Sequence, residues 1–145
     1  MIKVNRKTKE TNIELSLNIQ GSQKLAINTG IGFFDHMLEQ LASHARWDLS
    51  IEVKGDLQVD DHHTVEDVAI CLGDAIQQAW RSLDSMQRYG QRLLPMDEAL
   101  IMCAIDLSGR AYYVGDLEFS RETINGLSCE MIEHFFRTLA GASAM

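Results

Sequence analysis

Between residues 12 and 20 the side chains alternate, with Ile13, Leu15, Leu17 and Ile19 on one side and Asn12, Glu14, Ser16, Asn18 and Gln20 on the other. A period of two predicts a strand with one buried face. Gly21-Ser22 predicts a turn, with residues 24–28 returning as the hairpin partner. The period then lengthens: Phe33, Phe34, Met37, Leu38, Leu41 and Ala45 recur at helical spacing. Trp47, Leu49, Ile51 and Val53 alternate as another strand, closed by Gly55-Asp56. Asp60-Asp61 opens a second helix, where acidic residues suit the positive end of the helix dipole. Val65, Val68, Leu72, Ala75, Ile76 and Ala79 form its apolar stripe. Residues 98–107 are apolar on both faces and predict a strand buried on both sides, with Tyr112 to Phe119 as its partner. Leu127 to Ala140 predicts a third helix.

Two stretches repeat. ETNIELSLNIQG (10–21) aligns with EALIMCAIDLSG (98–109) at an offset of 88, which puts Ile13, Leu15 and Leu17 on Ile101, Cys103 and Ile105. DHMLEQLASHA (35–45) aligns with EHFFRTLAGAS (133–143) at an offset of 98, which puts His36 on His134 and Leu41 on Leu139. Two matches in the same order predict a tandem duplication, with one half at 1–87 and the other at 88–145. The second half is expected to be incomplete at Met145, because the first continues through a further strand and helix.

Composition narrows the class. A chain of 145 residues with one proline suits one compact unit, ordered throughout. A net charge of −8 argues against non-specific binding to nucleic acid or anionic membrane. The N-terminal residues lack the apolar core of a signal peptide, and no apolar run approaches the ~20 residues of a membrane span. Cys71, Cys103 and Cys129 are unpatterned and predict small buried side chains in a reducing compartment, the cytoplasm by default.

The strongest chemical signal is DDHHTVED (60–67) at a helix start. Residues at i and i+4 share a helix face, so Glu66 can act with His62, or at i+3 with His63, while the two imidazoles diverge. Imidazole and carboxylate without thiolate suit Mn, Fe or Zn, with the harder ions favoured. Asp60, Asp61 and Asp67 are candidates to orient the imidazole N–H groups. The competing reading is a solvated acidic helix terminus. His36 and His134 occupy matched repeat positions, each after an acidic residue. His36, Gln40, Ser43 and His44 form a polar stripe that is either solvated surface or a pocket wall. Glu10 and Glu98 are repeat-related acids at strand starts, and Arg88 and Arg110 lie in turns where guanidinium forks could hold a phosphate.

In order along the chain, TKET (8–11), GFFDHML (32–38), DDHHTVED (60–67), RYG (88–90), PMDEAL (95–100), SGR (108–110) and EMIEHFF (130–136) resemble the signatures of the imidazoleglycerol-phosphate dehydratase family. The resemblance implies an α+β fold like the second domain of ribosomal protein S5, in which tandem half-domains of antiparallel or mixed sheet pack on helices. It implies a hydro-lyase converting D-erythro-imidazole-glycerol phosphate to imidazole-acetol phosphate in histidine biosynthesis, through an imidazolate and a diazafulvene-like intermediate. It also implies two Mn²⁺ ions per active site and a homo-oligomer of about twenty-four subunits with active sites at their interfaces. His36, His62, His63, Glu66 and His134 match metal ligands, and Glu10, His36, His44, His62, His63, Glu66, Arg88 and Arg110 match substrate-binding positions. Glu10 is the candidate proton carrier. RYG stands where RFG is commoner, and a second His-His-x-x-Glu motif is expected beyond Met145. Two alternatives compete with this reading: a non-catalytic metal-binding or assembly subunit of the same fold, and a different metal enzyme such as a hydrolase.

Overall fold

The alternating segment at 12–20 becomes β2 (Thr11–Asn18), with Ile13, Leu15 and Leu17 buried. The computed structural model describes residues 1–145. β2 is an inner strand of a four-stranded sheet in the order β1-β2-β4-β3, where β1 is Ile2–Lys7, β3 is Leu25–Asn28 and β4 is Asp48–Gly55. β1 and β4 flank β2 antiparallel, and β3 runs parallel to β4. The hairpin partner of β2 is therefore the preceding strand, whose alternation is masked by the polar run from Asn5 to Glu10, and not residues 24–28. Asp48 explains the difference. Its carboxylate accepts the N–H of Lys24 at 2.9 Å, the N–H of Ser22 at 2.7 Å and the Asn18 amide at 3.2 Å, so the chain turns away from β2 towards β4. These bonds, with Lys24 first, hold Asp48 below the usual carboxylate range. Helix α1 (Gly32–Ala45) supplies the crossover that parallel strands require.

Helix α2 (His62–Arg81) buries Val65, Val68, Leu72 and Ala75 against this sheet. Helix α3 (Glu130–Ser143) lies on α2 and buries Met131, Phe135 and Leu139. The approach is close. A Cβ on Gly73 would stand 2.5 Å from Ala142 Cβ and 3.0 Å from the Leu139 carbonyl oxygen. Trp80 Nε1 donates to the Ser143 carbonyl at 3.0 Å, and Gln77 Nε2 to that of Ala142 at 3.2 Å. Those two bonds satisfy carbonyls that a helix C-terminus leaves unpaired. Phe34 of α1 meets Phe135 edge-to-face at 5.4 Å. No helix is long and apolar enough to cross a membrane.

One strand pair and one helix of the first part recur further along the chain. β5 (Tyr89–Met96) pairs antiparallel with β6 (Ala99–Asp106), and Gly90↔Ile105 and Pro95↔Leu100 lie 88 residues beyond Ile2↔Leu17 and Lys7↔Asn12. α3 lies 98 residues beyond α1 at both ends, and each ends on a left-handed residue, Arg46 or Ala144. A short hairpin of β7 (Thr123–Ile124) and β8 (Leu127–Ser128) leads into α3, so the third helix begins at Glu130 and Leu127 precedes it.

Three expectations are corrected here. The expected doubly buried strand at 98–107 is instead exposed on both faces from 98 to 105, with Met102 at 78% and Leu100 at 63%, because β6 pairs only with β5 and α3 buries its apolar side on α2. Residues 112–119 form no strand; the partner of β6 is β5, and the Tyr112 N–H donates instead to the Met145 carbonyl at 3.1 Å. Cys103 is exposed with its hairpin, whereas Cys71 and Cys129 are buried, and burial pushes the Cys71 thiol up to about 12.

Gly73→Ala tests the helix contact. Alanine normally stabilises a helix by about 1 kcal/mol over glycine. Here the atoms it meets include α3 backbone, so urea unfolding is expected to show a net loss of about 1–3 kcal/mol. Equal or greater stability would show that α3 has room to move.

Candidate active site

The N-terminus of α2 is set from two sides. Asp60 accepts the N–H of His62 at 2.9 Å, which fixes the first turn. Asp61 accepts the N–H of Ser128 at 2.6 Å and its hydroxyl at 3.1 Å, so the chain entering α3 is tied to the start of α2. The second turn of α3 therefore delivers His134 above Glu66. His134 Nε2 stands 3.4 Å from Glu66 Oε1, and His62 Nε2 stands 3.8 Å from Glu66 Oε2. The His62 and His134 rings meet edge-to-face at 4.8 Å.

One ligand atom from each of His62, Glu66 and His134 lies within 4.8 Å of the others. Donors about 2.0–2.3 Å from a shared ion stand up to about 4.6 Å apart, so small adjustments would close this set around a cation. His134 Nε2 is buried and has no hydrogen-bond partner. Leaving such an atom unsatisfied costs about 1–3 kcal/mol, which a bound cation would relieve. Two imidazoles and a carboxylate suit a divalent ion of borderline to hard character.

His63 faces the other way. Its Nδ1 lies 3.0 Å and 3.2 Å from the two oxygens of Asp56, and its ring centre is 5.9 Å from that of His62. Asp56 is thus the residue that orients an imidazole, while Asp60, Asp61 and Asp67 are engaged elsewhere. The only sequence signal was an acid just after the β4-closing Gly55. The bond to Asp56 raises the His63 pKa, and the nearby carboxylates of Glu10 and Asp60 add to it. Asp56 holds Nδ1, leaving Nε2 as the ring nitrogen available to a ligand.

His36 and His44 are exposed on α1, outside the His62–Glu66–His134 cluster. The acidic neighbours of the repeat-related histidines have separate tasks. Asp35 accepts the N–H of Thr29 at 2.8 Å and its hydroxyl at 2.5 Å, and Glu133 pairs with Arg137 at 2.5 Å. A cavity of about 520 Å³ opens beside the start of α2, lined by Gly30, Asp60, Asp61 and Asn125 among others and by no histidine. Arg88 is clamped on Asp106 by bonds of 2.6 Å and 3.0 Å, which lower the Asp106 pKa; the charge of Arg110 lowers it further. The two arginines thus gather at one end of the β5–β6 hairpin. Arg110 is exposed and outside every ion pair of the chain.

Residues 29–145 match the sequence profile of the family described as imidazoleglycerol-phosphate dehydratase. The chain belongs to this family. It is 54% identical over 137 residues to the imidazoleglycerol-phosphate dehydratase of Acetivibrio thermocellus, covering 94% of this chain and 70% of that one. It is 50% identical over 142 residues to a histidine biosynthesis bifunctional protein of Bacteroides fragilis, covering 98% of this chain and 38% of that one. The crystal structure of the Staphylococcus aureus dehydratase superposes with a TM-score of 0.84 at 31% identity, covering 99% of this chain and 80% of that one. The α+β fold of tandem half-domains is that of these enzymes.

The His63–Asp56 pair has a pH signature. In metal-free protein, His63 followed by NMR is expected to titrate above the ordinary histidine value, and Asp56→Asn to lower it. Because the folded pKa is raised, the pair stabilises the fold below the unfolded pKa, and that contribution is lost as pH rises through the folded one. An unshifted His63, or one indifferent to Asp56→Asn, would contradict the geometry.

Proposed function

We propose that this chain dehydrates D-erythro-imidazole-glycerol phosphate to imidazole-acetol phosphate in histidine biosynthesis. Family membership supports the reaction class, and the unpartnered His134 Nε2 facing Glu66 and His62 is the observation that supports metal assistance. The reaction removes a hydroxyl and a hydrogen from neighbouring carbons as water. That hydrogen is not acidic in the substrate, so the site must move charge as well as protons.

His62, Glu66 and His134 are the residues that would hold a divalent cation, with Mn²⁺ the family's ion. When bound, it would supply Lewis acidity towards the substrate's imidazole ring. His36 and His63 are the further ligands in this reading, and His63 has its Nε2 free for that task. Glu10 sits in the β1–β2 turn, near His63, with its carboxylate in no ion pair of the chain, as suits a group that moves a proton. Arg110 offers an unoccupied fork to the phosphate, and Arg88 stands beside it, braced by Asp106.

His134 lies near the start of α3, whereas the loop carrying Arg110 reaches its end, where Gly109 N–H donates to the Ala144 carbonyl. Ten residues of helix separate His134 from Ala144, about 15 Å at the rise of an α-helix. A small phosphate ester does not bridge that gap, so the arginines of one copy serve the metal cluster of another. This supports active sites at subunit interfaces of a homo-oligomer; the count of about twenty-four copies, the two Mn²⁺ per site and the placing of His44 and His36 along the substrate are what the family resemblance implies. The matched registers support 1–87 and 88–145 as the two halves. The free cysteines suit the cytoplasm.

Glu66→Gln is expected to cut Mn²⁺ affinity and turnover on the order of 100-fold while the protein stays folded. Metal analysis and a substrate assay check this, and full metal with full activity would refute the metal reading. Arg110→Ala is expected to raise KM about 10- to 100-fold through loss of a charge-assisted fork. An unchanged KM would remove Arg110 from the phosphate site.

A further inference from the structure

We infer that Asp67 is a positioning residue whose buried carboxylate locks the turn carrying Glu10 to the helical turn carrying His63 and Glu66. The inference rests on the proposed role of Glu10 and deepens it. Asp67 directly follows Glu66 and lies one turn beyond His63, and it is 6% exposed. Both of its oxygens are used. Oδ1 accepts Arg6 Nε at 2.7 Å, and Oδ2 accepts the Thr11 hydroxyl at 2.5 Å. Arg6 belongs to β1 and Thr11 to β2, so Asp67 grips the hairpin on both sides of the Thr8–Glu10 turn.

The bonds also have one direction. An ionised carboxylate only accepts, so the single hydroxyl proton of Thr11 points at Asp67. The Thr11 oxygen, 3.2 Å from that of Thr8, is then left to accept, and the Thr8 hydroxyl donates to it. The Thr8 oxygen in turn accepts the backbone N–H of Glu10 at 3.1 Å and of Thr11 at 2.9 Å. A chain of bonds therefore runs from the Glu10 amide to the Asp67 charge, each bond polarising the next. Thr8 N–H closes the turn on the Thr11 carbonyl at 2.9 Å. The same helical turn carries Glu66 and His63, so the Glu10 turn and the metal-bearing turn share one anchor.

Misplacing a reacting group by about 1 Å can cost about 100-fold in rate, which is the effect such an anchor prevents. Thr11→Val cuts the chain while keeping side-chain shape, and Thr11→Ser keeps the hydroxyl. In the Mn²⁺-loaded protein, Thr11→Val is expected to lower kcat about tenfold or more, with KM and metal content within about twofold of the parent. Amide hydrogen exchange at Glu10 and Thr11 speeds up, and Thr11→Ser restores both kcat and protection. Should Thr11→Val not fold, Thr8→Ala breaks the next link at a half-buried residue with the same expectation. Parental kcat and protection in the cut variant would overturn the proposal, as would loss of metal in place of kcat. Glu10→Gln separates the two readings. If it retains full turnover, the proton-carrier role falls, and the exchange rates at Glu10 and Thr11 alone decide whether Asp67 holds the turn.

Discussion

The approach of α3 to α2 is the contact on which the rest depends. It is possible because position 73 carries no side chain, so that Leu139, Ala142 and Ser143 can settle against the middle of α2. Met131, Phe135 and Leu139 make the contact dry, and the carbonyls at the end of α3 are taken up by Gln77 and Trp80. At the other end, Asp61 ties Ser128 to the first turn of α2. Fixed at both ends, α3 has no freedom to slide, and His134 is held over Glu66. Burial here serves chemistry: it brings two imidazoles and a carboxylate together and strips one nitrogen of any other partner.

The acidic residues around the site divide the labour. Asp60 and Asp61 set the helix terminus, Asp56 turns His63, Asp67 anchors the β1–β2 hairpin, and Glu66 alone faces the paired imidazoles. A chain with a net charge of −8 therefore spends several carboxylates on position. Arg88 and Arg110, the groups proposed for the phosphate, lie elsewhere, at one end of the β5–β6 hairpin, where Asp106 braces Arg88.

Periodicity made much of this legible. The alternation at 12–20 and 47–53 and the helical spacing at 33–45 and 62–79 each correspond to an element, because each buries one face against the same core. The repeat offsets of 88 and 98 proved to be offsets of strand register and helix ends. Apolar pattern shows that a strand favours being covered but not what covers it, and β6 is exposed against its pattern. The placement of β3 turned on the carboxylate of Asp48, a contact across 24 residues that no local pattern records. In the site, His62, Glu66 and His134 could be named from motif and repeat. Their meeting could not, since it depends on the bare Gly73 contact and the Asp61–Ser128 tie. Asp56 escaped notice because a turn acid looks the same whether or not an imidazole reaches it.

The proposed cation site of His62, Glu66 and His134 is built by helix packing within one chain. Crystals grown with Mn²⁺ and measured near the manganese absorption edge test it directly. An anomalous peak is expected about 2.0–2.3 Å from His62 Nε2, His134 Nε2 and a Glu66 oxygen of the same chain. Manganese bound elsewhere, with His134 Nε2 still unliganded beside Glu66, would contradict it.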